Sequence, residues 1–272
     1  MVPEVCSLYQ FAGEGNTPYP FSIQDYQRYV YGDDKRAHQF GTDLAKAFIA
    51  TRTSNQSFTH DIAVAVLSDS IPTATHGLRR HFVAYLNRHL ISLNARPVLT
   101  IDVFSVGQDA GVLQDVTKEN SKDLYHIDVT RLAGRSLIVL GDIRTAHTRE
   151  DHMTQSLRNL NLDNPIVFAY IAAVEGLQHT AGLTSLMALI VGPTIKDIET
   201  IAQAANFTMN QSFVHYLLGR DYAGFCSFVR RQDDFFARLL LDYAIAGLYY
   251  NDEDYRQNFD FLLWEVEARE SV

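Results

Sequence analysis

A carboxylate that follows an apolar run is the first candidate for chemistry in this sequence. Asp142 comes directly after the run 137–140 and Gly141. The residues of a short loop after it are small, hydroxylated or imidazole-bearing: Thr145, Ala146, His147 and Thr148. Backbone N–H groups and hydroxyls at the start of a helix bind phosphate, and a neighbouring carboxylate accepts hydrogen bonds from sugar hydroxyls. These residue types therefore indicate a sugar-phosphate site.

The elements that would position Asp142 are predicted from the pattern around it. Residues 137–143 are rich in apolar and β-branched side chains, which is typical of a strand buried on both faces of a parallel sheet. The polar-rich segment 149–160 is predicted to be a helix. Asp142 then lies at the carboxyl end of a strand, one short loop before a helix begins. An ordinary strand end is the alternative interpretation, because any parallel α/β sheet can end a strand in Gly-Asp.

The rest of the core alternates between strands and helices. Further strands are predicted where apolar residues run together, at 61–67, 97–106 and 166–174. Helical segments separate these strands. The order predicts an α/β fold with a doubly wound parallel sheet, whose ligands bind beyond the carboxyl ends of the strands. Asp69 and Asp142 both follow such ends.

The two ends of the chain depart from this alternation. Residues 1–22 contain glycines and prolines and are predicted to form an irregular arm. From about Thr184 only helical patterns follow, which indicates a helical cap packed on the sheet. We therefore predict two domains, with the α/β core and its N-terminal arm at 1–182 and the helical cap at 183–272.

Composition limits the classes of function. The chain has 272 residues, of which 47% are hydrophobic, and a formal net charge of −9. A chain of this length and hydrophobic content can form a sizeable core. No direct nucleic acid binding is expected, because lysine and arginine do not cluster into a basic stripe. The chain starts with no secretory signal, and no apolar stretch is long enough to span a membrane. We therefore expect a cytoplasmic protein that does not contact membranes.

Several other chemistries lack their motifs. Cys6 and Cys226 are too few and too far apart for a disulfide framework or a metal knuckle. His147 and His152 are five residues apart and do not share a helical face well. There is also no Gly-x-Ser-x-Gly elbow and no glycine-rich P-loop. A transition metal held by the protein is therefore not expected.

Residues 138–149 resemble the ribose-phosphate signature of type I phosphoribosyltransferases. In that signature four apolar residues precede two acidic residues, one apolar residue and a loop rich in threonine and glycine. Asp142 matches the second acidic position and Ile143 the apolar one, while the phosphate loop falls on 145–148. The sequence departs from the signature at Gly141, in place of the first acid, and at His147, in place of a glycine. The order of segments also resembles the divergent phosphoribosyltransferase-like proteins of bacterial tellurite-resistance and stress operons.

The resemblance implies a ligand and a role for each matched residue. The ligand would be phosphoribosyl pyrophosphate or a nucleotide, with Asp142 as the catalytic residue on the ribose hydroxyls. The loop at 145–148 would hold the 5′-phosphate. A second loop, made of Ser68, Asp69 and Ser70, is implied to bind pyrophosphate, and Mg²⁺ would enter with that pyrophosphate. The family's mobile loop over the reacting centre would fall within 107–135, which contains Lys118 and Lys122.

Three functions remain open at this point. The first is phosphoribosyl transfer to a base with release of pyrophosphate, in which the loss of an acid at Gly141 lowers or removes activity. The second is a noncatalytic nucleotide-binding sensor or effector that works with a protein partner of a stress or defence system. The third is a structural partner with a vestigial site. A homo-oligomer is compatible with each of them.

Overall fold

A single six-stranded sheet forms the centre of the molecule. The computed structural model describes residues 3–12, 19–53, 61–106, 124–175 and 192–271. The strands are β1 (Glu4–Ala12), β2 (Ile62–Ser68), β3 (Leu99–Val106), β4 (Leu124–His126), β5 (Ser136–Arg144) and β6 (Ile166–Glu175). Their order is β1-β6-β5-β2-β3-β4, and all neighbours are parallel except β3 and β4. The predicted parallel α/β sheet is confirmed, with β4 as an antiparallel edge strand.

Helices cover both faces of this sheet. The helices of this part of the chain are α1 (Ile23–Val30), α2 (Asp34–Thr53), α3 (Ala74–Ser92), α4 (Val129–Leu132) and α5 (Thr148–Asn159). Successive strand residues point to opposite faces. Val64 and Ile138 therefore pack with α1, α2 and α3, whereas Ala65 and Val139 pack with α4 and α5. A strand that is buried on both faces needs an unbroken apolar run, which β2 and β5 have.

The C-terminal helices form a core of their own. They are α6 (Ile195–Ala202), α7 (Gln211–Leu218), α8 (Tyr222–Arg230), α9 (Asp234–Ala246) and α10 (Glu253–Glu270), with a short 3₁₀ turn at Tyr249–Asn251. Side-chain oxygens cap the N-termini of several of them, including Asn210 for α7 and Asp233 for α9. The predicted helical cap is confirmed. In the described residues no helix is both long enough and apolar enough to cross a membrane.

Two loops of the α/β core hold the cap in place. The backbone N–H of Gln211 donates to the carbonyl of Pro72 at 2.9 Å, which joins α7 to the loop between β2 and α3. The N–H of Thr208 donates to the carbonyl of Gly32 at 2.9 Å, which joins the cap to the turn between α1 and α2. The cap therefore lies over the carboxyl ends of the strands.

One prediction about the first residues is wrong. The segment at 1–22 was predicted to be an irregular arm, but Glu4–Ala12 forms β1 and pairs in parallel with β6. Main-chain hydrogen bonds to β6 hold this edge strand. Most of its residues are exposed or half-buried, so it lacks the continuous apolar run of a strand that is buried on both faces. The predicted domain boundary between residues 182 and 183 lies outside the described residues and stays a prediction.

Candidate functional site

A cavity of about 620 Å³ lies between the carboxyl edge of the sheet and the cap. Its lining combines apolar, hydroxyl and charged side chains: Tyr26, Val30, Tyr31, Leu67, Thr73, Thr75, Leu140, Asp142, Ile143, Thr145, Arg149, Gln211, Ser212, His215 and Tyr249. Two residues of the predicted site, Asp142 and Thr145, thus line one cavity. A volume of this size is in the range of small-molecule sites.

A buried tyrosine fixes the Asp142 carboxylate. The Tyr29 hydroxyl donates to Oδ1 of Asp142 at 2.6 Å. Burial raises the pKa of Tyr29 well above its ordinary value, so the phenol keeps its proton and remains a donor. Burial also raises the pKa of Asp142, although the hydrogen bond from Tyr29 and the charge of Arg149 act in the opposite direction. The carboxylate is therefore oriented, and it is less strongly ionised than one in water.

Gly141 is required by its neighbours across the sheet. A Cβ built on Gly141 would lie 2.6 Å from the Tyr170 ring and 3.2 Å from Nη1 of Arg149. The Tyr170 hydroxyl donates to Oε1 of Glu150 at 2.9 Å, which holds the ring where it is. The ring of Tyr170 thus fills the space that an acidic side chain at position 141 would need.

An ion pair closes the loop at 145–147. Arg144, at the end of β5, donates from Nε and Nη2 to the two carboxylate oxygens of Glu150 at 2.7 and 2.6 Å. Nη2 of Arg144 also lies 2.6 Å from Nδ1 of His147, and since a guanidinium only donates, Nδ1 is the acceptor. Hydrogen bonds from Arg144 and Tyr170 outweigh burial and lower the pKa of Glu150. The ion pair therefore ties the end of β5 to the first turn of α5 across the loop.

The remaining residues of the predicted phosphate loop lie at the surface. Ala146, His147 and Thr148 are exposed and do not line the cavity, whereas Thr145 does. His147 stands at the N-cap of α5, and no described side chain caps that helix with a hydrogen bond. The first N–H groups of α5 remain available to an anion, which is the arrangement that helix N-termini use for phosphate.

The second predicted loop is held by a network of side chains. Ser68, Asp69 and Ser70 do not line the cavity. The Ser68 hydroxyl donates to Asp102 at 2.9 Å, and Oδ2 of Asp69 accepts from the Gln211 side chain at 2.8 Å. Thr73 and Thr75, a few residues further on, do line the cavity. The loop thus reaches the cavity through its two threonines.

The contact between Ser68 and His76 is not a nucleophile and base pair. Nε2 of His76 lies 2.9 Å from the Ser68 hydroxyl. The backbone N–H of Thr73 donates to Nδ1 of His76 at 3.0 Å, so the proton of the neutral ring is on Nε2 and is donated to Ser68. Burial and the charge of Arg79 lower the pKa of His76, which favours this neutral ring. Serine hydrolase chemistry is not supported by this geometry.

Sequence reasoning missed four further residues of the site: Tyr29, which donates to Asp142, and three residues that line the cavity. No role was predicted for Tyr29, and Arg149 was only the first residue of the predicted helix 149–160. Ser212 and His215 reach the cavity from α7 of the cap. Tyr29 and Asp142 are 113 positions apart, so no local pattern could join them. Arg149 follows the loop directly, and a cation at this place next to the phosphate loop was the one available signal.

The residues around Asp142 do not fit a divalent cation held by the protein. Within the described ranges no group of three or more His, Cys, Asp or Glu side chains could hold a metal ion. Arg149 and the Tyr170 ring surround the position where the signature has its first acid. A guanidinium repels a cation at this place.

A family model described as PRTase ComF-like, where PRTase stands for phosphoribosyltransferase, matches residues 2–262. The chain belongs to this ComF-like phosphoribosyltransferase family. The match covers nearly the whole chain, so the family pattern includes the C-terminal helices as well as the α/β core. The family predicted from residues 138–149 is therefore confirmed. No curated protein matches the sequence.

Three solved phosphoribosyltransferase structures are similar to this ComF-like protein. Adenine phosphoribosyltransferase from Saccharomyces cerevisiae, complexed with an imino-altritol bisphosphate and adenine, is 17% identical with a TM-score of 0.32, over 52% of this chain and 74% of that one. Hypoxanthine phosphoribosyltransferase from Trypanosoma cruzi, in complex with the product IMP, is 12% identical with a TM-score of 0.29, over 54% and 80%. Hypoxanthine-guanine phosphoribosyltransferase from L. donovani is 12% identical with a TM-score of 0.27, over 66% and 81%. The family assignment rests on the family match.

Proposed function

We propose that this ComF-like protein binds the phosphoribosyl group of phosphoribosyl pyrophosphate or a nucleotide beside Asp142 and transfers it to a base. The observation that supports this proposal is the position of Asp142. Its carboxylate lines the cavity at the end of β5, is oriented by Tyr29 and is followed by a loop that leads into the uncapped first turn of α5. Carboxylate, hydroxyl and free backbone N–H groups together match a ribose 5-phosphate.

Each group has a role in the proposed transfer. Asp142 would accept hydrogen bonds from ribose hydroxyls, while Thr145 and the first N–H groups of α5 would hold the 5′-phosphate. The loop of Ser68, Asp69 and Ser70 would lie near the pyrophosphate, which brings Mg²⁺ with it as part of the substrate. The bond from C1′ to the pyrophosphate oxygen breaks and a bond from C1′ to a base nitrogen forms. Pyrophosphate leaves with the electron pair, and the base loses its proton.

Pyrophosphate release tests the proposed reaction. Purified protein is incubated with Mg²⁺, phosphoribosyl pyrophosphate and each member of a panel of bases. Release with at least one base is expected, and Asp142→Asn is expected to abolish it because the ribose hydroxyls lose their charged acceptor. Asp151→Asn is the matched control, since Asp151 is an exposed acid on α5 outside the cavity. Equal release by the wild type and Asp142→Asn would reject the assigned site.

A noncatalytic sensor is the second candidate, and one observation favours it. Tyr170 excludes an acidic side chain at position 141, so only one carboxylate of the signature is present. A sensor would bind the ligand and release no pyrophosphate with any base. It would also need a protein partner, as was predicted for a stress or defence system.

Light scattering of the ligand-free and ligand-bound protein would test for the homo-oligomer.

A further inference from the structure

We infer that Arg149 gives the cavity its own binding group for an anion, so that the phosphoribosyl end of the ligand binds without a divalent cation. This inference rests on the proposed function, since it concerns the same ligand. It follows from a place where the chain departs from the signature of its family. The first acid is absent there, and a cationic side chain lies over the same position.

The position of the Arg149 guanidinium is the first step. Arg149 is in the first turn of α5 and lines the cavity. Its Nη1 would lie 3.2 Å from a Cβ on Gly141, so the guanidinium lies over the glycine. Its charge lowers the pKa values of both Asp142 and Tyr170, although burial raises each pKa more strongly. The side chain thus lies between the end of β5 and the open cavity.

No acid among the described residues forms an ion pair with Arg149, although its charge acts on Asp142 through space. Both carboxylate oxygens of Glu150 already accept hydrogen bonds from Arg144, and one of them also accepts from Tyr170. Oδ1 of Asp142 accepts from Tyr29. Within the part of the chain that the structure describes, no hydrogen bond or ion pair of the Arg149 side chain is found. The guanidinium is therefore available to a ligand.

The net charge of the side chains beside the ligand decides whether an anionic ligand needs a cation in order to bind. A signature with two carboxylates places two negative charges beside an anionic ligand, and a cation offsets the repulsion. An ionised Asp142 and Arg149 together carry no net charge. An anionic group next to this pair meets the five N–H donors of a guanidinium directly, and such charged hydrogen bonds are strong. The phosphate of a ribose 5-phosphate is the group of the right chemistry.

Calorimetric titration with ribose 5-phosphate tests the inference, because this ligand has no pyrophosphate to bring Mg²⁺. Wild-type Kd values in EDTA and in Mg²⁺ are expected to agree within about threefold. Arg149→Gln should raise Kd in EDTA by about 10- to 100-fold, as expected for losing a hydrogen bond to a charged group. Arg149→Lys should restore part of the affinity, since the charge returns without the planar fork.

The control is Arg158→Gln, an exposed arginine at the other end of α5 whose removal should leave Kd unchanged. Binding that requires Mg²⁺, or an Arg149→Gln variant with wild-type Kd in EDTA, would overturn the inference and leave the proposed function standing. No binding of ribose 5-phosphate in either buffer would instead reject the proposed function. Circular dichroism of each variant shows whether it is folded. If Arg149→Gln does not fold, the Kd of Arg149→Lys is compared with that of the wild type instead.

Discussion

Burial of the ionised Asp142 carboxylate lowers the free energy of unfolding, and the size of this effect depends on pH. Burial raises its pKa above the ordinary aspartate value. The carboxyl therefore favours folding in its protonated form, and this contribution is lost as pH rises from about 4, the unfolded pKa, through the folded pKa. The ionised form of Asp142 therefore does not stabilise the fold, and its proposed role is in ligand binding.

The first prediction concerns the stability of Asp142→Asn. At pH 7 the variant should be at least as stable as the wild type, because an amide is buried in place of a charge and still accepts from Tyr29. The difference should vanish below about pH 4, where the wild-type carboxyl is protonated in both states. Urea unfolding from pH 3.5 to 7 measures it, with Asp151→Asn as the exposed control. A difference that grows as the pH falls would contradict the prediction.

Glu150 has the opposite role, since it stabilises the loop through Arg144 and Tyr170. Its side chain is 3% exposed and that of Arg144 is 16% exposed. Removing one partner of a buried ion pair leaves the other charge unpaired, so Glu150→Gln should lower the free energy of unfolding by about 3 kcal/mol. Since the folded pKa of Glu150 is lowered, wild-type stability should also fall as pH decreases below about 4.5, the unfolded value.

Urea unfolding at pH 7 checks the Glu150→Gln prediction. Glu267→Gln is the control because Glu267 is exposed on α10. The two variants should differ clearly. If both lowered the free energy of unfolding by the same small amount, the ion pair would not be what stabilises the loop.

At the scale of elements, the junction between cap and core depends on the backbone of Gly32. Its φ is +99°, and a Cβ would clash with the carbonyl oxygen of Thr208. Gly134 also has a positive φ, +72°, but a Cβ there would meet nothing within 4 Å. Substitution of either glycine would therefore strain the backbone, but only a side chain at Gly32 would also meet the cap.

This pair gives a matched prediction. Gly134→Ala should lower the free energy of unfolding by about 1 kcal/mol, from the left-handed backbone alone. Gly32→Ala should lower it by at least ~2 kcal/mol, because the cap segment at Thr208 must also move. Urea unfolding of both variants measures the difference. Equal losses would show that the cap contact at Gly32 adds nothing to stability.

The sequence predicted the elements that carry their own signal. The strands β2, β3, β5 and β6 have apolar runs, and the sheet positions them beside one another as the α/β pattern requires. Asp142 and Thr145 were found together because they are neighbours in the chain. Tyr29 and Arg149 were missed because their roles depend on contacts between elements. The edge strand β1 was missed because most of its residues are exposed or half-buried, so it has no continuous apolar run.

At the scale of the whole molecule, the cavity connects the sheet to the cap. Asp142 and Thr145 reach it from the core, and Ser212 and His215 reach it from α7. A ligand that fills the cavity would contact both parts. It is therefore expected to stabilise the cap as well as the loop that follows β5.

Thermal unfolding and hydrogen exchange test this connection with ribose 5-phosphate. At a concentration of 100 times Kd the ligand should add about 2.7 kcal/mol to the free energy of unfolding and raise Tm by about 5 °C or more. Amides of α7 and of the loop at 145–147 should both gain protection. Asp142→Asn should show neither effect. Protection confined to the loop would mean that the cap does not take part in binding.

The pairing of β1 with β6 has a consequence for how the protein is made. Glu4 pairs with Val167, so β1 leaves the ribosome more than 160 residues before the strand it pairs with. Until then Cys6, Leu8 and Tyr9 lack the neighbouring strand, and only early residues of the same core, such as Phe21, can cover them. We expect this strand to be a contact site for chaperones on the nascent chain, and the contact to end once translation has passed Glu175 and β6 has emerged.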